Sequence, residues 1–242
     1  MHAKTVKIVQ ISLAFALLFN IALWFYARPL QATWLNVPPV PTEFRALSMT
    51  LGDKQFAYRA VATMLQNFGS TGGRVTPIKN YNFQTLADWF FLSYHLDPQS
   101  DFAPMLAALY YGSSQDPQKI RPLLEYLKVA GNSAEGEKWR WLAHAVFLAR
   151  FDVKDNDLAL DLARTLSAIP NDHMPMWARQ MPANVLRDQG KKEAALQLML
   201  GLLESNHDKV HPNEVNAMVD YICTRILEPQ EAQSYELCDT IK

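Results

Sequence analysis

Three small constellations in this chain could carry chemistry. His207 and His211 are four apart, the spacing that places two imidazoles on one helical face for a metal ion. His211 precedes Pro212, however, and proline suits the first turn of a helix, so the pair straddles a loop. His173 follows Asp172 in "NDHMP", where a carboxylate could orient an imidazole for acid/base work, but no nucleophile accompanies it and the context is a loop. His95 stands near Asp97 and reads as a charge partner at a helix end. Cys223 and Cys238 lie fifteen residues apart and match no zinc or CxxC spacing. In an oxidising compartment they could close a short loop worth up to about 3 kcal/mol; in a reducing one, Cys223 is a buried thiol on a helix. No catalytic residue, metal site, cofactor site or small-molecule substrate is expected from these patterns.

A glycine-rich run, "NFGSTGGRVTP" from Asn67 to Pro77, raises the question of a phosphate site. A phosphate-cradling loop needs a strand before it, a helix directly after it and a lysine in register. This run follows a helical pattern, lacks the lysine and leads into Thr76-Pro77, where helix is disfavoured. Gly69 suits the left-handed residue that ends a helix, and the following glycines suit a turn.

The elements that must position any site begin with an apolar segment. Ile8 to Ala27, "IVQISLAFALLFNIALWFYA", holds no charge and matches the roughly 20 residues a helix needs to cross about 30 Å of hydrocarbon. Trp24, Phe25 and Tyr26 cluster at one end, as at a headgroup boundary, and Lys4 and Lys7 precede the span, which predicts a cytoplasmic N-terminus and an exported remainder. The rival is a signal peptide cut after Ala32; the run exceeds the usual 7–15 apolar residues of such a segment, and Arg28 and Pro29 sit badly beside a cleavage site. Gln10, Ser12 and Asn20 interrupt the span and invite either a helix partner in the membrane or local accommodation. The net charge of -1 supplies no basic footprint for nucleic acid.

Residues 29–52 carry Pro29, Pro38, Pro39 and Pro41. They read as a semi-rigid linker or a strap lying on a neighbour, the linker being the simpler expectation. From Asp53, a capping residue, the pattern is helical nearly throughout. Successive helices are expected in "DKQFAYRAVATMLQNF", "NFQTLADWFFLSYHL" and "DFAPMLAALYYG", the last opened by Asp101 as a cap. Further helix lengths separated by short breaks run to "HPNEVNAMVDYICTRIL". No segment sustains strand alternation. The fold class is therefore all-α, with 53–134 as divergent helical hairpins, 135–228 as a better-ordered repeat region with a C-terminal helix, and 229–242 as a tail.

"ANVLRDQGKKEAALQLMLGLLES" places Ala183, Leu186, Gly190 and Ala195 at the spacings of a tetratricopeptide repeat, with alanine where helices approach closely and glycine where the chain turns. Trp139, Leu142 and Ala143, then Ala159, Ala163 and Pro170, resemble the preceding repeat, and Ala159 and Ala195 are 36 apart. That preceding repeat has an inter-helix turn about four residues too long, and Pro182 inside a first helix would kink it. The chain thus resembles the tetratricopeptide-repeat family over about 135–205. The resemblance implies antiparallel hairpins in a short right-handed superhelix, whose first helices line a concave groove. Carried over, the groove residues are Arg140, His144, Phe147, Trp177, Gln180, Asn184 and Arg187. Their guanidinium and amide groups could grip a peptide backbone or carboxylate.

Aromatic residues concentrate between Tyr81 and Tyr111 and could form a docking patch or a core. Taken together, these features predict a single-pass membrane protein held by residues 8–27. Its helical domain would serve as a scaffold, assembly factor or accessory subunit, with protein subunits of a membrane complex as partners. Expected alternatives are an envelope-polymer hydrolase on a helical solenoid, and a structural subunit bound through its transmembrane helix. The expected address is a bacterial inner membrane with a periplasmic domain, or a mitochondrial inner membrane with the domain in the intermembrane space.

Overall fold

The computed structural model describes residues 2–27, 37–71, 74–114, 116–206 and 211–241. The chain divides into two units, Met1–Leu35 and Asn36–Lys242. The first is a single helix, α1 (His2–Ala27). Within it Val6–Ala27 is a predominantly apolar stretch of 22 residues, about 33 Å long at the helical rise and so long enough to span a bilayer. One of its polar interruptions is satisfied locally, since the Ser12 hydroxyl donates to the Ile8 carbonyl at 2.9 Å. The Trp24 and Phe25 rings meet edge to face at 5.0 Å. The signal-peptide cleavage considered after Ala32 falls outside the described residues.

The second unit is helical apart from one small antiparallel ladder. Its helices are α2 (Glu43–Met49), α3 (Lys54–Asn67), α4 (Phe83–Leu96), α5 (Phe102–Met105), α6 (Arg121–Gly131), α7 (Trp139–Phe147), α8 (Asn156–Ser167), α9 (Met176–Arg179), α10 (Met181–Asp188), α11 (Lys192–Asn206), α12 (Pro212–Tyr221) and α13 (Pro229–Ser234). Local chemistry starts several of them. Asp53 Oδ1 accepts the Phe56 N–H at 2.9 Å, Asn82 Oδ1 the Thr85 N–H at 3.1 Å, and Asp155 Oδ1 the Leu158 N–H at 2.9 Å, each satisfying an otherwise orphaned donor. Asp101 differs from expectation: its side chain caps nothing on α5. Ser100 Oγ takes the Phe102 N–H instead, because the Asp101 carboxylate is engaged by partners on α7.

Helices pack in sequence, α3 on α4, α4 on α6, α6 on α7, α7 on α8, α8 on α10 and α10 on α11, an arrangement consistent with a helical repeat. Three of the helices end in a wide π turn: Leu106–Tyr111 after α5, Leu148–Asp152 after α7 and Ile222–Ile226 after α12. The π turn after α7 accounts for the overlong break read from the sequence. It carries helix to Asp152, so only residues 153–155 remain before α8. Pro182 has the consequence anticipated for it: the helix is split, and proline stands in the first turn of α10 where its missing N–H costs nothing.

Gly69 ends α3 with φ +76, a left-handed conformation. Ser70–Thr71 and Arg74–Val75 then pair antiparallel, Ser70 opposite Val75; Gly72 and Gly73 lie outside the described residues. Two tyrosines complete that helix end. The Tyr111 hydroxyl donates to the Leu65 carbonyl at 2.5 Å and the Tyr81 hydroxyl to the Phe68 carbonyl at 2.6 Å, satisfying acceptors that α3 leaves open. Burial pushes both hydroxyls up in pKa, so they remain donors. Tyr81, Phe83, Trp89, Phe90 and Tyr111 are all buried, so the aromatic concentration is chiefly core rather than a docking patch.

The proline-rich segment is not a free linker throughout. Val37 is buried and the Trp89 indole N–H donates to the Pro38 carbonyl at 2.7 Å, so the chain from Val37 onward is strapped to the helical unit. The expected tail is likewise folded. It holds α13, which opens with a reciprocal cap between Glu228 and Glu231, and the 3-10 turn Glu236–Ile241. Cys238 in that turn is disulfide-bonded to Cys223 in the π turn after α12, their Cα atoms 5.8 Å apart.

Close helix approach depends on small residues. Ala145, Ala159, Ala163, Ala183 and Ala195 are wholly buried, and a Cβ on Gly131 of α6 would lie 2.5 Å from the Leu142 backbone nitrogen of α7. Gly201, inside α11, has open space where its Cβ would be. We therefore expect Gly131→Ala to lower the unfolding free energy by about 1–3 kcal/mol and Gly201→Ala to raise it by up to about 1 kcal/mol, both read from urea midpoints. Reduction of the disulfide is expected to cost roughly 3 kcal/mol, the loop-closure figure for fifteen residues, in the same measurement made with and without a thiol reductant.

Candidate functional site

The ammonium of Lys138, immediately before α7, sets the position of the helix that carries the site. It donates to the carbonyls of Gln99 at 2.8 Å and Ser100 at 3.1 Å and to Asp101 Oδ1 at 3.3 Å, and among the described residues Lys138 is the one buried residue that carries a charge. Asp101 Oδ1 also accepts the Trp141 indole N–H at 2.6 Å. Burial acts to raise the Asp101 pKa, but the Trp141 hydrogen bond and the Lys138 charge outweigh it and hold the carboxyl below its usual value.

With α7 so fixed, Leu142, Ala145, Val146 and Ala149 enter the core. The complementary stripe, Arg140, His144, Phe147 and Phe151, repeats at helical spacing on the outer face. The Phe147 and Phe151 rings lie 4.9 Å apart and the His144 and Phe147 rings 5.9 Å. The Arg150 guanidinium caps the Phe151 ring at 4.6 Å while also binding Asp188 at 2.5 Å.

The facing wall comes from α9 and the start of α10. Arg179 donates to the Asn171 carbonyl at 2.6 Å and the Asn171 amide to the Gly136 carbonyl at 2.8 Å, tying α9 to the end of α8 and to the loop before α7. Trp177 then stands half exposed, its ring edge-on to the buried Trp139 ring at 5.5 Å. Arg140, Ala143, His144, Phe147, Trp177 and Met181 enclose a shallow depression of about 370 Å³, apolar except for the guanidinium and imidazole. Arg140 pairs with Glu137 at 2.9 Å. Burial lowers the His144 pKa against the opposing pull of the Ala108 carbonyl and the Asp152 charge, so the imidazole is neutral at pH 7.

Of the seven residues assigned to the groove, these four are brought together and three are not. The side-chain oxygens of Gln180 and Asn184 are buried without a hydrogen-bond partner, and neither side chain lines the depression. Arg187 is committed elsewhere, paired with Asp188 at 2.7 Å and lying over the Tyr221 ring at 5.3 Å. A one-residue turn at Gln180 separates α9 from α10, and Met181, four residues beyond Trp177, is the α10 side chain that lines the depression. Phe151 and Met181 were missed in sequence; the first lies four residues beyond Phe147, a spacing that could have flagged it.

Elsewhere, His173 is exposed and its backbone N–H donates to Asn171 Oδ1 at 2.9 Å, and His95 is exposed in the last turn of α4. His211 Nδ1 caps α12 by accepting the Asn213 N–H at 3.2 Å; His207 lies outside the described residues. Among the described residues no group of three His, Cys, Asp or Glu side chains is placed to hold a metal. No family model, curated protein or solved structure matches the chain.

A histidine whose folded pKa is depressed contributes stability above its unfolded pKa and loses it as pH falls through the folded value. Wild type should therefore lose stability relative to His144→Gln as pH falls from 8 to 5, with the change beginning near 6.5, in urea unfolding at the two pH values.

Proposed function

We propose that this chain is a membrane-anchored helical-repeat protein whose second unit binds a protein partner through the depression between α7 and α9–α10. One observation carries the reading: four side chains picked out by the tetratricopeptide resemblance converge on a single surface, and two of them, Phe147 and Trp177, are aromatic and half exposed. Aromatic and arginine side chains at the centre of a patch are the usual energetic anchors of protein recognition. In this reading the hairpins continue as a short right-handed superhelix, and the first helices present their outer stripes to the partner.

We further infer that α1 spans the bilayer with its N-terminus in the cytoplasm, leaving the helical unit in the periplasm or an equivalent oxidising space. Its length and the absence of charge from Ile8 to Ala27 support the span. The bond between Cys223 and Cys238 supports an oxidising compartment, where such bonds persist. Anchoring would raise the local concentration of the unit near membrane partners, as suits a scaffold, assembly factor or accessory subunit of a membrane complex.

The test is site-specific photo-crosslinking of the full chain in its native membranes, with the crosslinker placed at Arg140, Phe147 or Trp177 and, as a control, at Arg164 of α8. The same membrane protein should be captured from the first three positions and not from the last. Phe147→Ser with Trp177→Ser should reduce its co-purification at least tenfold while leaving circular dichroism unchanged. Equal capture from Arg164, or undiminished co-purification by the double variant, would exclude this surface as the binding site.

A further inference from the structure

Four large apolar side chains within thirteen residues stand in solvent: Phe44 is 79% exposed, Met49 82%, Leu51 98% and Phe56 58%. They occupy α2, the first turn of α3 and the corner between them. Of the four apolar residues of α2, Ala46 is buried and Leu47 packs partly against the core, while Phe44 and Met49 face outward. The corner is nonetheless built to a fixed shape. The Gly52 N–H donates to the Leu47 carbonyl at 2.8 Å, the Asp53 N–H to the Thr50 carbonyl at 3.1 Å, and the Thr50 hydroxyl to the Asp53 carbonyl at 3.1 Å.

At its tip Leu51 adopts φ +55, a left-handed conformation disfavoured for a leucine and natural to glycine or asparagine. A turn position that opposes leucine on backbone grounds, and gives it nothing to pack against, nevertheless carries one. Arg45 on α2 and Lys54 and Arg59 on α3, the two helices that meet at the tip, are exposed; Glu43 pairs with Lys54 at 3.6 Å and Asp53 is used as a cap. An apolar tip whose flanking helices carry exposed cations is complementary to the boundary between acyl chains and lipid phosphates.

Chain length selects the occupant. Tyr26 and Ala27 end the apolar helix, and ten Cα steps later Val37 is already strapped to the second unit. Ten steps of fully extended chain reach at most about 35 Å, so the chain tethers Val37, in the unit that carries the corner, within that distance of the end of the apolar helix. We propose that this corner is a second membrane contact, in which Phe44, Met49, Leu51 and Phe56 insert into the outer face of the bilayer that α1 spans. The proposal rests on the reading of α1 as a membrane anchor.

Because the native cysteines are bonded to each other, a single added cysteine can carry a nitroxide. Full-length Leu18→Cys, Leu51→Cys and Val129→Cys would be labelled in nanodiscs of phosphatidylethanolamine and phosphatidylglycerol, and relaxation by oxygen compared with that by a water-soluble nickel chelate. The expected result is an oxygen-dominated signal at positions 18 and 51 and a nickel-dominated one at 129. Nickel dominance at 51 with oxygen dominance at 18 would overturn the corner contact and leave the anchor standing; nickel dominance at both would overturn the anchor and the corner together. Spin–spin coupling between position-51 labels would identify a second copy of the chain as the occupant, and oxygen dominance at 129 would make the contact non-specific, either result overturning the proposal. In a Met49→Cys background, adding Leu51→Asn and Phe44→Ser should reduce the oxygen-to-nickel ratio severalfold at unchanged circular dichroism. Asparagine accepts the left-handed backbone, so loss of fold does not confuse the result; an unchanged ratio would overturn the role assigned to these side chains.

Discussion

The ammonium of Lys138 is the polar contact on which the middle of the helical unit is organised. Its side chain is 10% exposed, and a charge in such a position is costly unless its donors are met. Gln99, Ser100 and Asp101 supply three acceptors for three donors. The loop between α4 and α5 is thereby locked to the start of α7, and the surface stripe of α7 inherits its orientation. Replacing only one member of such a set leaves a buried group unpaired, which is why buried ion pairs constrain geometry more than they add stability. Asp101 shows the same logic from the other side, since more than half of its side chain remains in solvent and solvent screening limits what the pair contributes.

Packing then transmits that orientation. Gly131 allows α6 to meet α7 at backbone distance, and buried alanines do the same for α8, α10 and α11. Trp139, one residue beyond Lys138, is buried and meets Trp177 edge-on at 5.5 Å, which places α9 relative to α7. Both walls of the depression thus trace to the same few residues near the start of α7. The π turn that closes α7 lengthens the stripe far enough to include Phe151.

Features set by neighbouring residues were legible in the sequence. Asp53 caps the helix it precedes, Gly69 ends α3 left-handed, and Pro182 breaks a helix, because each effect acts within about four residues. Asp101 has the same local signature as Asp53 but its carboxylate is taken by Lys138 and Trp141, nearly forty residues away, and no local rule anticipates that competition. The residues assigned to one stripe of α7 do lie together on it, whereas Asn184 is buried at its side-chain oxygen and Arg187 is held by Asp188 and Tyr221, tertiary contacts that helical spacing does not report. The strap was misjudged because its prolines describe backbone stiffness, whereas Val37 and the Trp89–Pro38 hydrogen bond decide where it lies. Leu51 carries no sequence signal, since its conformation is what makes it unusual.

Exposure of large apolar side chains is ordinary when scattered and informative when they are held still. Phe147 is flanked by the rings of His144 and Phe151, Trp177 leans on buried Trp139, and Phe151 is covered by the Arg150 guanidinium that Asp188 fixes in turn. Side chains restrained in this way have already lost rotamer freedom that a binding partner would otherwise have to remove, and that loss commonly costs about 0.5–1.5 kcal/mol for each flexible side chain. The ring contacts around Phe147 and Trp177 restrain both side chains while leaving each about half exposed. The same network that stabilises the junction of α7, α9 and α10 therefore preorganises its surface, and this is the physical basis for reading the depression as a recognition site rather than as incompletely buried core.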